Sequence, residues 1–313
     1  MAKISGLTFW DRVLNSFYRT RYKFYAKFCK KKLKDHSPVG KEGWELTFYD
    51  DFNSVSWSRK QTDEWRRWGI GEHWGWFHPR NGRSWWTEPV LNGDSTITLG
   101  TRAEPKTFHR KEEGGYWYAA PVNFEPVETL VVPYSVGGLS TAHKTPEGDN
   151  IFKQQYGRWE CRCKVPADDG IRSAYWTWGS TWPPEIDIFE IDGRSDHSDQ
   201  KINLHYGVNE DTDGDGVKEH PSLGSTKGAL RRDGEWQEFV LQWSPGKIEM
   251  ITDGLKIFRC TKKSVVKWYD DPIAQMWVLV YQAVIGDINH EPDEDGWYSK
   301  FLVDYVRVYK NKE

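Results

Sequence analysis

Four cysteines in 313 residues, Cys29, Cys161, Cys163 and Cys260, are too few for a disulfide scaffold, and no C-x-x-C pair marks a zinc site. Cys161 and Cys163 stand two apart on an expected strand, where they point the same way and are badly placed to bond each other. All four read as reduced core thiols. No apolar run reaches the roughly 18 residues that a membrane-spanning helix needs. The first residues lack an uninterrupted apolar stretch before a small-residue cleavage site, so no clear signal peptide is expected. The body of the chain is also poor in net positive charge. Residues 1–34 hold ten Lys or Arg against one acid, Asp11, a local charge of +9, which leaves −12 on the rest of a chain whose total is −3. That balance argues against a nucleic-acid partner, which needs a basic surface to displace counterions. No internal repeat is visible.

Aromatic residues are abundant, with 19 Trp in the chain. Trp fills cores, and its flat face and N–H edge also make it a platform for stacking ligands. Over residues 7–33, Phe9, Trp10, Val13, Leu14, Phe17, Tyr18, Phe24, Tyr25 and Phe28 recur at three- and four-residue spacing with basic residues between them. This predicts a basic amphipathic helix. A membrane surface, a partner and its own domain are all open as what it packs against. "HSPVGKEG" (36–43) reads as a linker, so residues 1–39 form a helical extension and residues 40–313 the main domain. From residue 44 onward, short runs such as "WELTFYDDF", "YGRWECRCKVP", "SAYWTWG", "KINLHYGV", "EWQEFVLQWSP", "MWVLVYQAV" and "FLVDYVRVYK" alternate with Gly, Asn, Asp and Pro. Many short strands with frequent turns predict an all-β sandwich or barrel. Asp253-Gly254 in "TDGLK" predicts a hairpin turn. The Trp- and Arg-rich stretch over 60–90 reads as long loops, where binding residues tend to sit.

The segment "TWPPEIDIFEIDG" (181–193) carries the chemistry. Its Ile and Phe residues predict a strand, on which side chains alternate between faces. Glu185 and Asp187 then share a face, and Glu190, five positions from Glu185, would turn away. Two carboxyl groups flanking a glycosidic bond can cleave it. One protonates the leaving oxygen and the other attacks the anomeric carbon. A third carboxylate between them can orient the nucleophile and favour the acid's protonated form by like-charge repulsion. Glu190 joins the pair only if a β-bulge near Ile188-Phe189 restores its parity.

Glu185-Ile-Asp187-Ile-Phe-Glu190 resembles the bulged E-I-D-x-x-E signature of family 16 glycoside hydrolases, on the laminarinase, agarase and carrageenase side of that family. The likeness runs in order through "FYDDFN" (48–53), "GGLSTAHK", "YGRWECRCKVP", "SAYWTWG", "WQEFVLQWSPGKIEMITDG" and "VDYVRVYK". It implies a β-jelly-roll sandwich with a concave sugar-binding cleft and retaining, endo-acting hydrolysis of a β-linked polysaccharide. Glu185 would be the nucleophile, Asp187 the assisting carboxylate and Glu190 the general acid/base. Trp176, Trp182 and His205 match positions that line the cleft. Pro184 stands where most members have Gly, and Tyr281 where a sugar-contacting Asn is expected, which bears on substrate rather than chemistry. A β-1,3- or mixed-linkage glucan is slightly favoured. An algal galactan (agar, porphyran or carrageenan) is the alternative, with Arg66, Arg67, Arg80 and Arg83 available for sulfate. A glycan-binding or attachment module without turnover, and a transglycosylase on the same residues, are further alternatives. No cofactor is implied for catalysis. A structural Ca²⁺ is implied at Asp51 and Asp304, hard oxygen ligands of the kind that ion prefers. "DTDGDGVKEHPS" (211–222) is like the first half of a calcium loop, with Asp211, Asp213, Asp215 and Gly216 in place but Ser222 at its last position. The substrate class implies action outside the cell.

Overall fold

The computed structural model describes residues 7–28, 42–71, 84–109, 129–193, 200–210, 220–225 and 234–312. Helix α1 spans Phe9–Phe28. Sixteen strands follow: β1 (Trp44–Asp50), β2 (Gly69–Ile70), β3 (Ser84–Thr87), β4 (Val90–Leu91), β5 (Ile97–His109), β6 (Thr129–Ser140), β7 (Gly157–Lys164), β8 (Ile171–Gly179), β9 (Glu185–Asp192), β10 (Lys201–His205), β11 (Ser222–Ser225), β12 (Trp236–Ser244), β13 (Lys247–Thr252), β14 (Leu255–Cys260), β15 (Met276–Val284) and β16 (Trp297–Asn311). The short helix α2 (Lys263–Val266) lies between β14 and β15. The expected all-β architecture is present. The segments singled out above as strands form β1, β7, β8, β9, β10, β12, β15 and β16.

Hydrogen bonds join the strands in the order β11-β10-β9-β8-β15-β6-β5-β16-β7-β12-β13-β14. The ladder folds over at β5 and β6, so that β9, β8 and β15 lie across β16, β7 and β12 as two layers of a sandwich. Phe189 on β9 meets Phe239 on β12 at 4.4 Å between ring centroids and Phe301 on β16 at 6.3 Å. Gln282 on β15 is fully buried. It accepts from Thr101 Oγ1 at 2.9 Å and donates to Ser299 Oγ at 2.9 Å, so its amide is satisfied between the layers. Cys161, Cys163 and Cys260 are free and buried, as expected of core thiols. Cys29 lies outside the described residues.

The Asp253-Gly254 turn is as expected. Thr252 pairs with Leu255, and the two loop residues have φ of +51° and +74°, the left-handed pair a tight hairpin requires. Helix α1 docks against this hairpin. It starts at Thr8, whose Oγ1 accepts from the Asp11 N–H at 3.0 Å as an N-cap. β14 is an edge strand, and Asn15 covers part of that edge as a peptide mimic. Its Nδ2 donates to Arg259 O at 2.8 Å, and its Oδ1 accepts from Arg259 N at 2.6 Å. Asp11 accepts from Thr261 N at 2.9 Å, and the buried Tyr22 hydroxyl donates to Asp253 Oδ2 at 3.0 Å. The helix therefore packs on its own domain, but through Asp11, Asn15 and Tyr22. Most of the aromatic stripe faces away.

Candidate active site

β9 forms because Ile186, Ile188, Phe189 and Ile191 have a hydrophobic layer to enter. All four are buried at 1% exposure or less. Against β8, Tyr175 pairs with Phe189 but Trp176 pairs with Asp187, so Ile188 is the extra residue of a bulge. β10 registers the same insertion, with Lys201 opposite Glu190 and Asn203 opposite Asp187. The bulge turns Glu190 back to the side of Glu185 and Asp187. Residues directly opposite each other in a ladder share a face. Glu185, Asp187, Glu190 and Asp192 therefore line one surface with Arg172, Trp176 and Trp178 of β8 and Lys201, Asn203 and His205 of β10. Hydrophobic burial on one side of the strand thus fixes an acid row on the other.

Each acid has its own surroundings. Glu185 and Asp187 are buried. Trp182 Nε1 donates to Glu185 Oε2 at 2.8 Å, and His205 Nε2 lies 3.5 Å from Glu185 Oε1 and 3.3 Å from Asp187 Oδ2. Facing two carboxylates, that nitrogen carries the proton. His205 Nδ1 then accepts from His220 Nε2 at 2.6 Å. Asn203 Nδ2 stands 2.7 Å from the same His205 Nε2, and a protonated Nε2 requires that amide turned over so that its oxygen faces the ring. The Tyr269 hydroxyl, buried beneath, bridges Glu185 O at 3.1 Å and His205 O at 2.7 Å and so ties β9 to β10. Burial, and secondarily the neighbouring His205, hold the His220 imidazole below its ordinary pKa.

Glu190 is half-buried and accepts from Arg172 Nη1 at 2.6 Å. Arg172 Nε also donates to Asp192 Oδ1 at 2.6 Å, and Lys201 reaches Asp192 from β10. Burial alone would raise the Asp192 carboxyl, but the hydrogen bonds from Arg172 and Lys201 outweigh it and hold it below the usual range. Arg172 is pulled down by burial, yet Asp192 and Glu190 more than reverse this and keep it charged.

The cleft floor is aromatic. Trp176 lies 5.9 Å from Tyr281 and 6.1 Å from Trp178, Trp178 lies 5.2 Å from Trp277, and Tyr281 lies 5.8 Å from Trp86. Gly138 permits this arrangement, since a Cβ there would stand 2.7 Å from the Trp86 ring. Trp182 is partly exposed at the rim, with His220 4.1 Å from its ring centroid.

Residues 134–307 match the model of glycosyl hydrolases family 16, more than half of the chain. The chain belongs to this family. Among its relatives, endo-1,3-1,4-beta-glycanase ExsH of Rhizobium meliloti is 23% identical over 285 residues, covering 84% of this chain and 51% of that protein. Beta-glucanase of Rhodothermus marinus is 24% identical over 290 residues, covering 85% of each. The chain spans 27% of glucan endo-1,3-beta-glucosidase A1 of Niallia circulans, at 26% identity over 57% of its own length. It thus covers about half or less of several of these relatives. Two solved structures share the fold. One is from a description of endo-acting O-glycanases of human gut microbiota that initiate mucin breakdown, with TM-score 0.60, 22% identity and coverage of 87% of this chain and 92% of that one. The other is the laminarinase catalytic domain of Thermotoga maritima MSB8, with TM-score 0.55, 18% identity and coverage of 87% and 100%.

Within this family 16 fold, Trp176, Trp182 and His205 gather around Glu185 and Asp187. Trp178, Arg172, Asn203 and His220 belong to the same surface and were not singled out from sequence. Trp178 was accessible to the period-2 rule, two residues beyond Trp176. His220 was not, because only the pairing of β10 with β11 brings it back to His205. The expected calcium pair behaves differently. Asp51 accepts from Arg307 at 2.8 Å, and Asp304 pairs with Arg162. Each carboxylate already faces a guanidinium, whereas Ca²⁺ needs six to eight oxygens around it. The described residues therefore do not fit a calcium site at Asp51 and Asp304. Asp211, Asp213, Asp215 and Gly216 lie outside the described residues. Among those described, only Glu185, Asp187 and His205 bring three metal-ligating atoms within 4.8 Å of one another. Arg66 donates to Ser58 O at 3.1 Å and to Lys144 O, and Arg67 donates to Tyr49 O at 2.6 Å. Arg66 serves loop backbone and Arg67 a carbonyl of β1. Arg80 and Arg83 lie outside the described residues.

Proposed function

We propose that this protein is a retaining endo-β-glycanase acting on β-1,3- or mixed-linkage glucan. Glu185 attacks the anomeric carbon while Glu190 protonates the departing glycosidic oxygen. Glu190 then takes a proton from the water that releases the glycosyl group from Glu185, so the anomeric configuration is retained. Asp187 sits between the two along the strand and, with His205, orients the nucleophile. The Trp182 N–H fixes Glu185 Oε2 and leaves Oε1 on the His205 side. Trp176 and Trp182 offer faces to sugar rings. No cofactor enters the reaction.

The observation that carries this reading is the bulge at Ile188, which gives three acids one face. The glucan assignment is supported by the relatives named for 1,3- and 1,3-1,4-linked β-glucans. A sulfated galactan is the second reading. It is weakened because Arg66 and Arg67 serve backbone carbonyls, and Arg172 and Lys201 in the cleft are paired with acids. The test is reducing-end release on a panel of β-1,3-glucan, mixed-linkage glucan, agar, porphyran and carrageenan, with NMR of the first product. Activity on a β-glucan with retained configuration is expected. Inversion would overturn the mechanism, activity confined to galactans would overturn the substrate, and tight binding without any product would leave only an attachment module.

A further inference from the structure

Docking uses one side of α1. Asp11, Asn15 and Tyr22 are buried against β14 and its hairpin. On the opposite side Phe9, Trp10, Val13, Phe17 and Phe24 are between 43 and 68% exposed. At about 100° per residue these five positions fall on one face, with Arg12 and Arg21, both exposed, beside it. A helix needed only to shield an edge strand has no use for a second, outward aromatic face. An apolar patch of this kind, rimmed by polar groups, marks an interaction surface.

Charge identifies the occupant. Residues 1–34 carry ten Lys or Arg. Asp11, their one acid, is 1% exposed and bonded to Thr261, so its charge is withdrawn from the outward surface. The outward side of α1 thus offers Trp and Phe with positive charge and no carboxylate. That combination suits an anionic lipid interface, where aromatic rings sit at headgroup depth and basic side chains meet phosphates. A symmetric pairing of two such helices would bring two +9 segments together.

We propose that α1 is an interfacial membrane anchor that lays Phe9, Trp10, Val13, Phe17 and Phe24 into an anionic lipid surface. The catalytic cleft, on the outer face of the other layer of the sandwich, stays free. The inference does not depend on the proposed glycanase activity.

The test is cosedimentation of the full chain with vesicles of phosphatidylcholine alone and with added phosphatidylserine. Binding should require the anionic lipid and weaken as salt rises. The triple variant W10S/F17S/F24S should bind about tenfold more weakly or worse, since each ring forfeits apolar burial. R12Q/R21Q should lose about fivefold per charge removed. Both variants alter exposed positions, and unchanged thermal unfolding verifies that they fold. Absence of phosphatidylserine-dependent binding would overturn the proposal, as would equal binding by the triple variant. So would a lipid-free dimer that the triple variant dissolves, because the stripe would then belong to a second copy.

Discussion

β9 and α1 both carry a legible period, and the structure treats the two periods differently. In β9 the alternation of Ile and acid names the right residues for each face, but only after one extra residue, Ile188, corrects the count. In α1 the count needs no correction. The aromatic stripe is there, and it is the polar side, Asp11 and Asn15 with Tyr22, that enters the domain. A period therefore reports which residues travel together. It does not report which surface they meet. On β9 the hydrophobic face has another layer to pack on and the acids inherit the cleft. On α1 the partner is an edge strand, whose free N–H and C=O groups want hydrogen bonds more than apolar contact.

Five measurements press on this comparison. The acid face of β9 should answer in activity when Glu185 or Glu190 loses its charge. E190Q should lower kcat by about 10²–10⁴-fold, the usual worth of general acid–base catalysis, and E185Q at least as much, read by reducing-end release. The inner face of β9 should answer in stability instead. F189A empties a fully buried site against Phe239 and should cost about 3–5 kcal/mol in denaturant unfolding.

D192N tests the charged end of the acid row. It removes one of the two carboxylates that pair with Arg172, and the one that Lys201 reaches, and should cost about 1.5–3 kcal/mol at neutral pH. The pH dependence has a definite sign. The folded Asp192 carboxyl lies below its ordinary value of 3.8, so the folded state binds fewer protons than the unfolded chain between those two values. Its stabilisation is complete above the ordinary value and is lost as pH falls through the folded one. The stability gap between wild type and D192N should narrow in that acid window.

On α1 the effects should be smaller and confined to the docked side. N15A removes both hydrogen bonds to Arg259 and should cost about 0.5–1.5 kcal/mol for each. The smallest change is expected from W10S, on the exposed stripe, within about 0.5 kcal/mol of wild type in thermal unfolding. A large destabilisation by W10S would mean that the stripe is structural and would erase the contrast between the two faces.

Much of the fold was readable because strand alternation and turn chemistry are local. The Asp253-Gly254 hairpin needed only two residues that tolerate positive φ. Trp182 and His205, expected near the acids, hold Glu185 and Asp187 in the structure. Strand β6 lacked so clear a signal, since Pro133 and Gly137-Gly138 interrupt its apolar run. Asp51 and Asp304 carried a pattern that suits Ca²⁺, but each instead meets an arginine from a neighbouring strand. That outcome depends on register between β16, β1 and β7, which no local pattern specifies.

The sequence by itself determined that the chain forms many short strands, that Glu185, Asp187 and Glu190 belong to one strand, and that a helical period runs within residues 7–33. These follow from backbone preference and side-chain period, which act over a few residues. Only the tertiary structure decided that His220 reaches His205, that Arg172 is divided between Glu190 and Asp192, that Arg66 and Arg67 are spent on backbone carbonyls, and which side of α1 is left in the open. Each of these is a choice among partners far apart in the chain. It is settled by which polar groups the folded layers leave unsatisfied at one place.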